Sequence, residues 1–158
     1  MTQNLYRLIY LSQNTILGSN ENVHKEIEQI LAISRQRNAA SGITGALMFN
    51  RECFAQVLEG MHDDIQETFE RIQCDPRHGD VVVLDFEPVN ARRFSQWSMG
   101  YIGYDTLASK EFTQIQLATG FDVKQLSGER IYDLLHVHLY AAENARETLI
   151  NSPYSKTL

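Results

Sequence analysis

Residues 5 to 12, LYRLIYLS, form a run of aliphatic and aromatic side chains that predicts a first strand with Tyr6, Leu8 and Tyr10 on one face. A polar loop follows, with Gly18, Asn20 and Asn22 as capping candidates. Val23, Ile27, Ile30, Leu31 and Ser34 then recur at helical spacing and predict a helix over about 22–36. SGITGALMFN carries glycines at 42 and 45 and a strand near 43–50, which Asn50, Arg51 and Glu52 turn into a strand over 53–59. Gly60 ends that hairpin. Met61, Ile65, Phe69 and Ile72 mark a second helix, and Asp75-Pro76 stops it, because a residue before proline avoids the helical region. VVVLDFEPV supplies the next strand, and QWSMGYIGY, residues 96–104, a fifth in which Trp97, Met99 and Tyr101 share a face.

Beyond Asp105 the pattern turns helical. Phe112, Ile115 and Thr119 predict a short helix before Gly120, and the series Ile131, Leu134, Leu135, His138, Leu139, Ala142 predicts a longer one from Ser127 to near 150. NSPYSKTL reads as a frayed tail. The order β-α-β-β-α-β with a further strand predicts an α+β, ferredoxin-like sheet with two helices on one face and the C-terminal helices capping the other. The expected organisation is a domain over 1–105, a helical cap over 106–150 and a tail over 151–158.

One residue breaks the apolar pattern. In FAQVLEG, Gln56 shares a strand face with Phe54 and Leu58. A buried amide without partners costs about 1 to 3 kcal/mol, so something on that face should bond to it. In the split topology the first and third strands are neighbours, which makes Tyr10 a candidate, although the pattern leaves their register open.

Composition narrows the function. With 14 Lys plus Arg against 20 Asp plus Glu the net charge is -6, and no basic stripe follows a phosphate backbone, so nucleic acid is not an expected partner. The N-terminus lacks a basic lead and long apolar core, and no apolar run approaches the ~20 residues that cross a bilayer, so a cytoplasmic protein without a membrane partner is expected. Cys53 and Cys74 lie too far apart for a C-x-x-C motif and read as reduced core thiols, with no metal site.

No nucleophile elbow, phosphate-cradling glycine loop or H-E-x-x-H is present, so the chain is not expected to be an enzyme. His136 and His138 point about 200° apart on a helix, and Tyr132, His136 and Tyr140 form a stripe that reads as a packing or subunit contact. Arg71 and Asp75, spaced i, i+4, form either a surface ion pair or an anion site at the end of the second helix. Tyr10, Asn38, Trp97 and Met99, taken singly, each have an ordinary role in packing or capping, and only Gln56 does not. Together they would line one cleft between the helices and the sheet, a lining suited to a flat heteroaromatic ring with carbonyls and ring nitrogens at its edge.

LYRLIYLSQ, SGITGALMFN, FAQVLEG, ERIQCDPRH and FSQWSM, in this order and spacing, resemble the BLUF family of blue-light sensors that bind FAD. The resemblance covers roughly residues 4–105, and the later helices are similar to the cap of short, stand-alone members. It implies that Tyr10 donates an electron and a proton to the excited flavin and that Gln56 bridges the phenol and the flavin edge. It further implies that Asn38 holds a flavin carbonyl and that Ile30 and Ile72 sandwich the ring, with Ser34 among the cofactor-binding positions. Arg71 and Asp75 would lie near the ribityl and phosphate end, and Trp97 and Met99 would relay the light state. Arg37 stands where the family often has Asn or His, which leaves its role open.

The expected function is therefore a blue-light photoreceptor with FAD, acting through a homo-oligomer and a downstream response protein, with no output domain fused to it. Two other readings share the topology. An acylphosphatase-like hydrolase would need an arginine in the loop after the first strand, which here reads SQNTILGSN. A non-photoactive regulatory module would use the same aromatic and amide residues only as pocket lining.

Overall fold

The computed structural model describes residues 4–49, 53–102, 128–129, 131–133 and 135–137. The chain order is β1 (Leu5–Asn14), α1 (Asn20–Ser41), β2 (Thr44–Phe49), β3 (Cys53–Met61), α2 (His62–Gln73), β4 (His78–Pro88) and β5 (Gly100–Ile102). The sheet runs β4-β1-β3-β2-β5, antiparallel except for the β2–β5 pair. This is the expected α+β, ferredoxin-like arrangement with a fifth strand.

The first helix is longer than its apolar spacing implies. Ser19, rather than Gly18, Asn20 or Asn22, is the N-cap, its side chain accepting from the Asn22 N–H. At the other end Asn38-Ala39-Ala40 contains no breaker and two strong helix formers, so the helix continues until Gly42, whose φ of 69° closes it in the left-handed conformation. Asn38 is thus inside the last turns and not a cap.

β3 is the central strand, and Cys53 through Gly60 are all buried. Its even-numbered side chains join the helix-side core, where Leu8, Tyr10, Phe54 and Leu58 meet Val23, Ile27 and Leu31 of α1 and Ile65 of α2. Its odd-numbered side chains enter a second core on the opposite face, with Ile9, Leu11, Ala46 and Phe94. Ile131, Tyr132 and Leu135, all in helical conformation, cover that second core, as the C-terminal periodicity implies. Gly45 permits the close β2–β3 approach, since a Cβ there would lie 2.0 Å from the Val57 carbonyl oxygen.

Three expectations are corrected. β4 starts at His78, three residues before the apolar run, because the backbones of His78 and Gly79 pair with Asn14 and Gln13 on an edge where side chains need not be apolar. β5 is only three residues long, and residues 94–99 are turn, bend and irregular chain, with the Trp97 N–H donating to the Phe94 carbonyl. Strand alternation therefore does not apply to Trp97 and Met99, which enter opposite layers: Trp97 packs against the Phe94 core, Met99 into the helix-side core. Finally, Cys53 is buried but Cys74 is exposed, being the C-cap of α2. The turn at 50–52, the side chain of Tyr101, the short helix with Phe112, Ile115 and Thr119, and Leu134, His138, Leu139, Tyr140, Ala142 and the tail lie outside the described residues.

Candidate functional site

A cavity of about 270 Å³ opens between α1, α2 and the helix-side face of the sheet. Its walls are apolar where the two helices face each other, with Ile30 from α1 and Ile72 from α2, and Leu47 and Leu58 from the strands. Gln56 and Asn38 supply amides to this lining, and Ser34 a hydroxyl.

Tyr10 and Gln56 are directly opposite each other in the β1–β3 register. The buried phenol O–H donates to Gln56 Oε1, so the amide has the partner its strand position demands. Burial, reinforced by the negative charge of Asp75, pushes the Tyr10 phenol far above its ordinary value, which keeps it protonated and a donor at neutral pH. The other end of the Gln56 amide is less well served: Nε2 donates to Met99 Sδ at 3.4 Å, and a thioether is a weak acceptor. Asn38, 2 % exposed, donates from Nδ2 to the Ser98 carbonyl at 2.8 Å, and no described residue donates to its Oδ1. Two buried amides thus face the cavity with spare hydrogen-bonding capacity.

Arg71 and Asp75 both line the cavity, but the i, i+4 ion pair between them is not formed. Arg71 donates to Thr68 Oγ1 at 3.3 Å and lies 3.9 Å from Glu67. Asp75 is held by Arg77 through a 2.6 Å ion pair and a backbone N–H at 2.9 Å. Burial would raise the Asp75 carboxyl, but the Arg77 bonds and charge win and hold it below the usual range. Arg37, Arg71 and Arg77 also border a wider, open groove of about 770 Å³ that continues from the cavity mouth. Glu26, Glu67, Glu70 and Asp75 border the same groove, so the three guanidinium groups stand among four carboxylates, with Arg77 paired to Asp75 and Glu26.

One of the predicted residues, Trp97, stands apart. Met99 touches Gln56, whereas the Trp97 ring packs against Phe94 at 6.2 Å in the layer opposite the cavity. The indole is therefore not part of the lining. The structure adds His78 and Ser12, which the pattern did not single out. His78 lines the cavity, shares a 2.8 Å hydrogen bond with Ser12 Oγ, and lies 4.4 Å from the Phe54 ring and 6.0 Å from the Tyr10 ring. Burial holds its imidazole down to about 4, so it is neutral at physiological pH. Ser12 was within reach of sequence reasoning, two residues after Tyr10 on the same strand face. His78 was not, because its approach follows from the bulged pairing of β4 with β1. Among the described residues no group of three or more His, Cys, Asp or Glu could hold a metal ion, and no helix is long and apolar enough to cross a membrane.

Fold and cavity together define a small-ligand domain built to hold a flat, hydrogen-bonding group between two helices. Residues 5–100 match the family model described as BLUF, sensors of blue-light using FAD, and the chain belongs to that family. The photoactivated adenylate cyclase subunit beta of Euglena longa is 34 % identical over 96 residues, which is 61 % of this chain and 11 % of that protein. The blue light- and temperature-regulated antirepressor BluF of Escherichia coli is 39 % identical over 75 residues, 48 % of this chain and 19 % of the relative. The chain thus spans less than a fifth of the length of these curated relatives. Among solved structures, BlrB, a BLUF protein in its dark state, aligns at 33 % identity and a TM-score of 0.68 over 90 % of this chain and 99 % of that one. BlsA in its photo-activated state aligns at 29 % identity and a TM-score of 0.69 over 85 % and 94 %.

FAD is the cofactor by which this family senses light. The residues present fit its ring end: facing isoleucines for the two sides of a flat ring and amides with unused capacity for its carbonyl and nitrogen edge, with Arg37 and Arg71 at the mouth as the cations for phosphate beside the Asp75–Arg77 pair.

Proposed function

We propose that this protein is a blue-light photoreceptor in which Tyr10 is the donor of an electron and a proton and Gln56 is the switch. When bound, FAD supplies blue-light absorption and an excited acceptor. The reading rests chiefly on one observation, the hydrogen bond from the buried Tyr10 phenol to a Gln56 amide that lines the cavity.

The Tyr10 O–H points at the Gln56 carbonyl, so a proton leaving the phenol has the amide as its first station. An amide carries its donor and acceptor in nearly the same volume, so exchanging them rewrites the bonds around it without moving the backbone. In the exchanged arrangement a donor faces the Tyr10 oxygen and the bond to Met99 Sδ is lost. Asn38, Ile30, Ile72 and Ser34 hold and orient the ring, and Arg71 and Asp75 serve the ribityl and phosphate end. Met99 carries the change into the segment before β5, with Trp97 on its other side as the relay to the C-terminal region. The sensor domain is residues 1–105 and the cap 106–150. The output is a change of contact with a second copy of the chain or with a response protein, without catalytic turnover.

The test is Gln56→Leu. The variant should keep its flavin and remain yellow but lose the light-induced red shift of the flavin bands. A preserved shift would refute the role given to this amide.

A further inference from the structure

Glu59 is wholly buried on β3, three residues beyond Gln56 and on the opposite face of the sheet, and its environment is built around the charge. The Arg93 N–H donates to both carboxylate oxygens, at 2.9 and 3.0 Å, and the Phe94 N–H to Oε1 at 2.7 Å. The Tyr132 O–H donates to Oε2 at 2.7 Å. The Glu59 backbone carbonyl accepts from Arg92 at 3.1 Å, so one strand residue holds three consecutive residues of the β4–β5 connection. Two guanidinium groups lie over the Tyr132 ring, Arg7 at 4.2 Å and Arg93 at 4.9 Å from its centroid. Arg93 also pairs with Asp133, next to Tyr132.

The same connection is gripped from the cavity side. Asn38 holds the Ser98 carbonyl, Arg35 of α1 holds the Met99 carbonyl at 3.1 Å, and the Met99 thioether accepts from Gln56. Residues 92–99 are therefore fastened at one end to the Gln56 site and at the other to a carboxylate shared with the helical segment around Tyr132. Hydrogen bonds to a buried charge are about twice as strong as neutral ones, so this is a firm joint and one that responds to small displacements.

We infer that the Glu59–Tyr132 contact is the positioning joint through which residues 92–99 pass the state of the Gln56 site to the C-terminal helical segment. The inference rests on the photoreceptor reading and extends it to two residues outside the flavin cavity. A loss of the Gln56 bond frees Met99, the connection shifts, and the N–H groups of Arg93 and Phe94 carry the carboxylate with them. The Tyr132 hydroxyl then follows or releases the carboxylate.

The test compares full-length wild type, Tyr132→Phe and Glu59→Gln, each with FAD bound, by absorption and by hydrogen exchange in dark and under blue light. Wild type should show a red shift together with light-dependent exchange in peptides covering both 89–99 and 128–137. Tyr132→Phe, which removes one hydroxyl and keeps the packed ring, should keep the red shift and the change in 89–99 but lose most of the light-minus-dark difference in 128–137. Glu59→Gln, if it folds, should do the same. A purely structural contact would raise exchange equally in dark and light and leave that difference intact, which would overturn the inference. So would a wild type that shifts its spectrum without any light-dependent exchange in 128–137. Absence of the spectral shift in wild type would instead strike the photoreceptor reading itself.

Discussion

His78 offers a quantitative test of the cavity's electrostatics. In the folded protein burial dominates its titration, opposed by the charge of Asp75 and assisted by that of Arg77, and it takes up a proton only at about 4 instead of 6.5. A folded value below the unfolded one means that acid favours the unfolded chain. The contribution to stability is complete above the unfolded value and is lost as the pH falls from about 6.5 toward 4. At about pH 4.5 an unfolded imidazole is almost fully protonated and the folded one mostly neutral, which amounts to about 2.5 kcal/mol. His78→Gln removes the titration while leaving a polar partner for Ser12. Urea unfolding of both proteins with excess FAD, at about pH 7 and pH 4.5, isolates this contribution, because every other titratable side chain is common to the two proteins. Wild type should lose about 2 kcal/mol more than the variant on acidification. Equal losses would mean that the imidazole is not held neutral and that the cavity is wetter than its lining implies.

Further outcomes follow from the same geometry. Tyr10→Phe removes the only described donor to Gln56 Oε1 and should lower stability by about 1 kcal/mol in urea unfolding. It should also abolish the photocycle while the protein stays yellow; a normal cycle would place electron donation elsewhere. Gly45→Ala puts a methyl group 2.0 Å from the Val57 carbonyl oxygen, and the nearest atoms it meets are β3 backbone rather than a side chain that could swing aside. It should cost about 3 kcal/mol, the upper end for core overpacking, or prevent soluble expression. A melting temperature within a few degrees of wild type would contradict the tight β2–β3 approach.

Much of the fold was legible because apolar spacing and breakers agree along residues 5–88. The neighbouring of Tyr10 and Gln56 followed from the order of elements, but their direct opposition needed the register, which a pattern of alternating faces constrains only to within two residues. Trp97 was misplaced for an instructive reason. QWSMGYIGY looks like a strand, yet its first half is fixed by bonds from other elements, to Gly45, Asn38 and Arg35, and those bonds break the alternation. Glu59 was invisible for a related reason. At the end of FAQVLEG an acid reads as the solvent-facing end of a strand, and only the C-terminal segment folded over the second face makes it a buried carboxylate. Local pattern reports what a residue offers to its neighbours in the chain; it is silent on covers brought from seventy residues away, as between Glu59 and Tyr132.

The central claim is tested most directly by the absorption spectrum of the purified protein in the dark, after blue light, and during return to the dark. The account predicts a yellow protein whose flavin bands shift to the red on illumination and recover in darkness, as a rearranged Gln56 amide strengthens a hydrogen bond at the ring edge. A colourless protein, or a yellow one whose spectrum does not move, would contradict it.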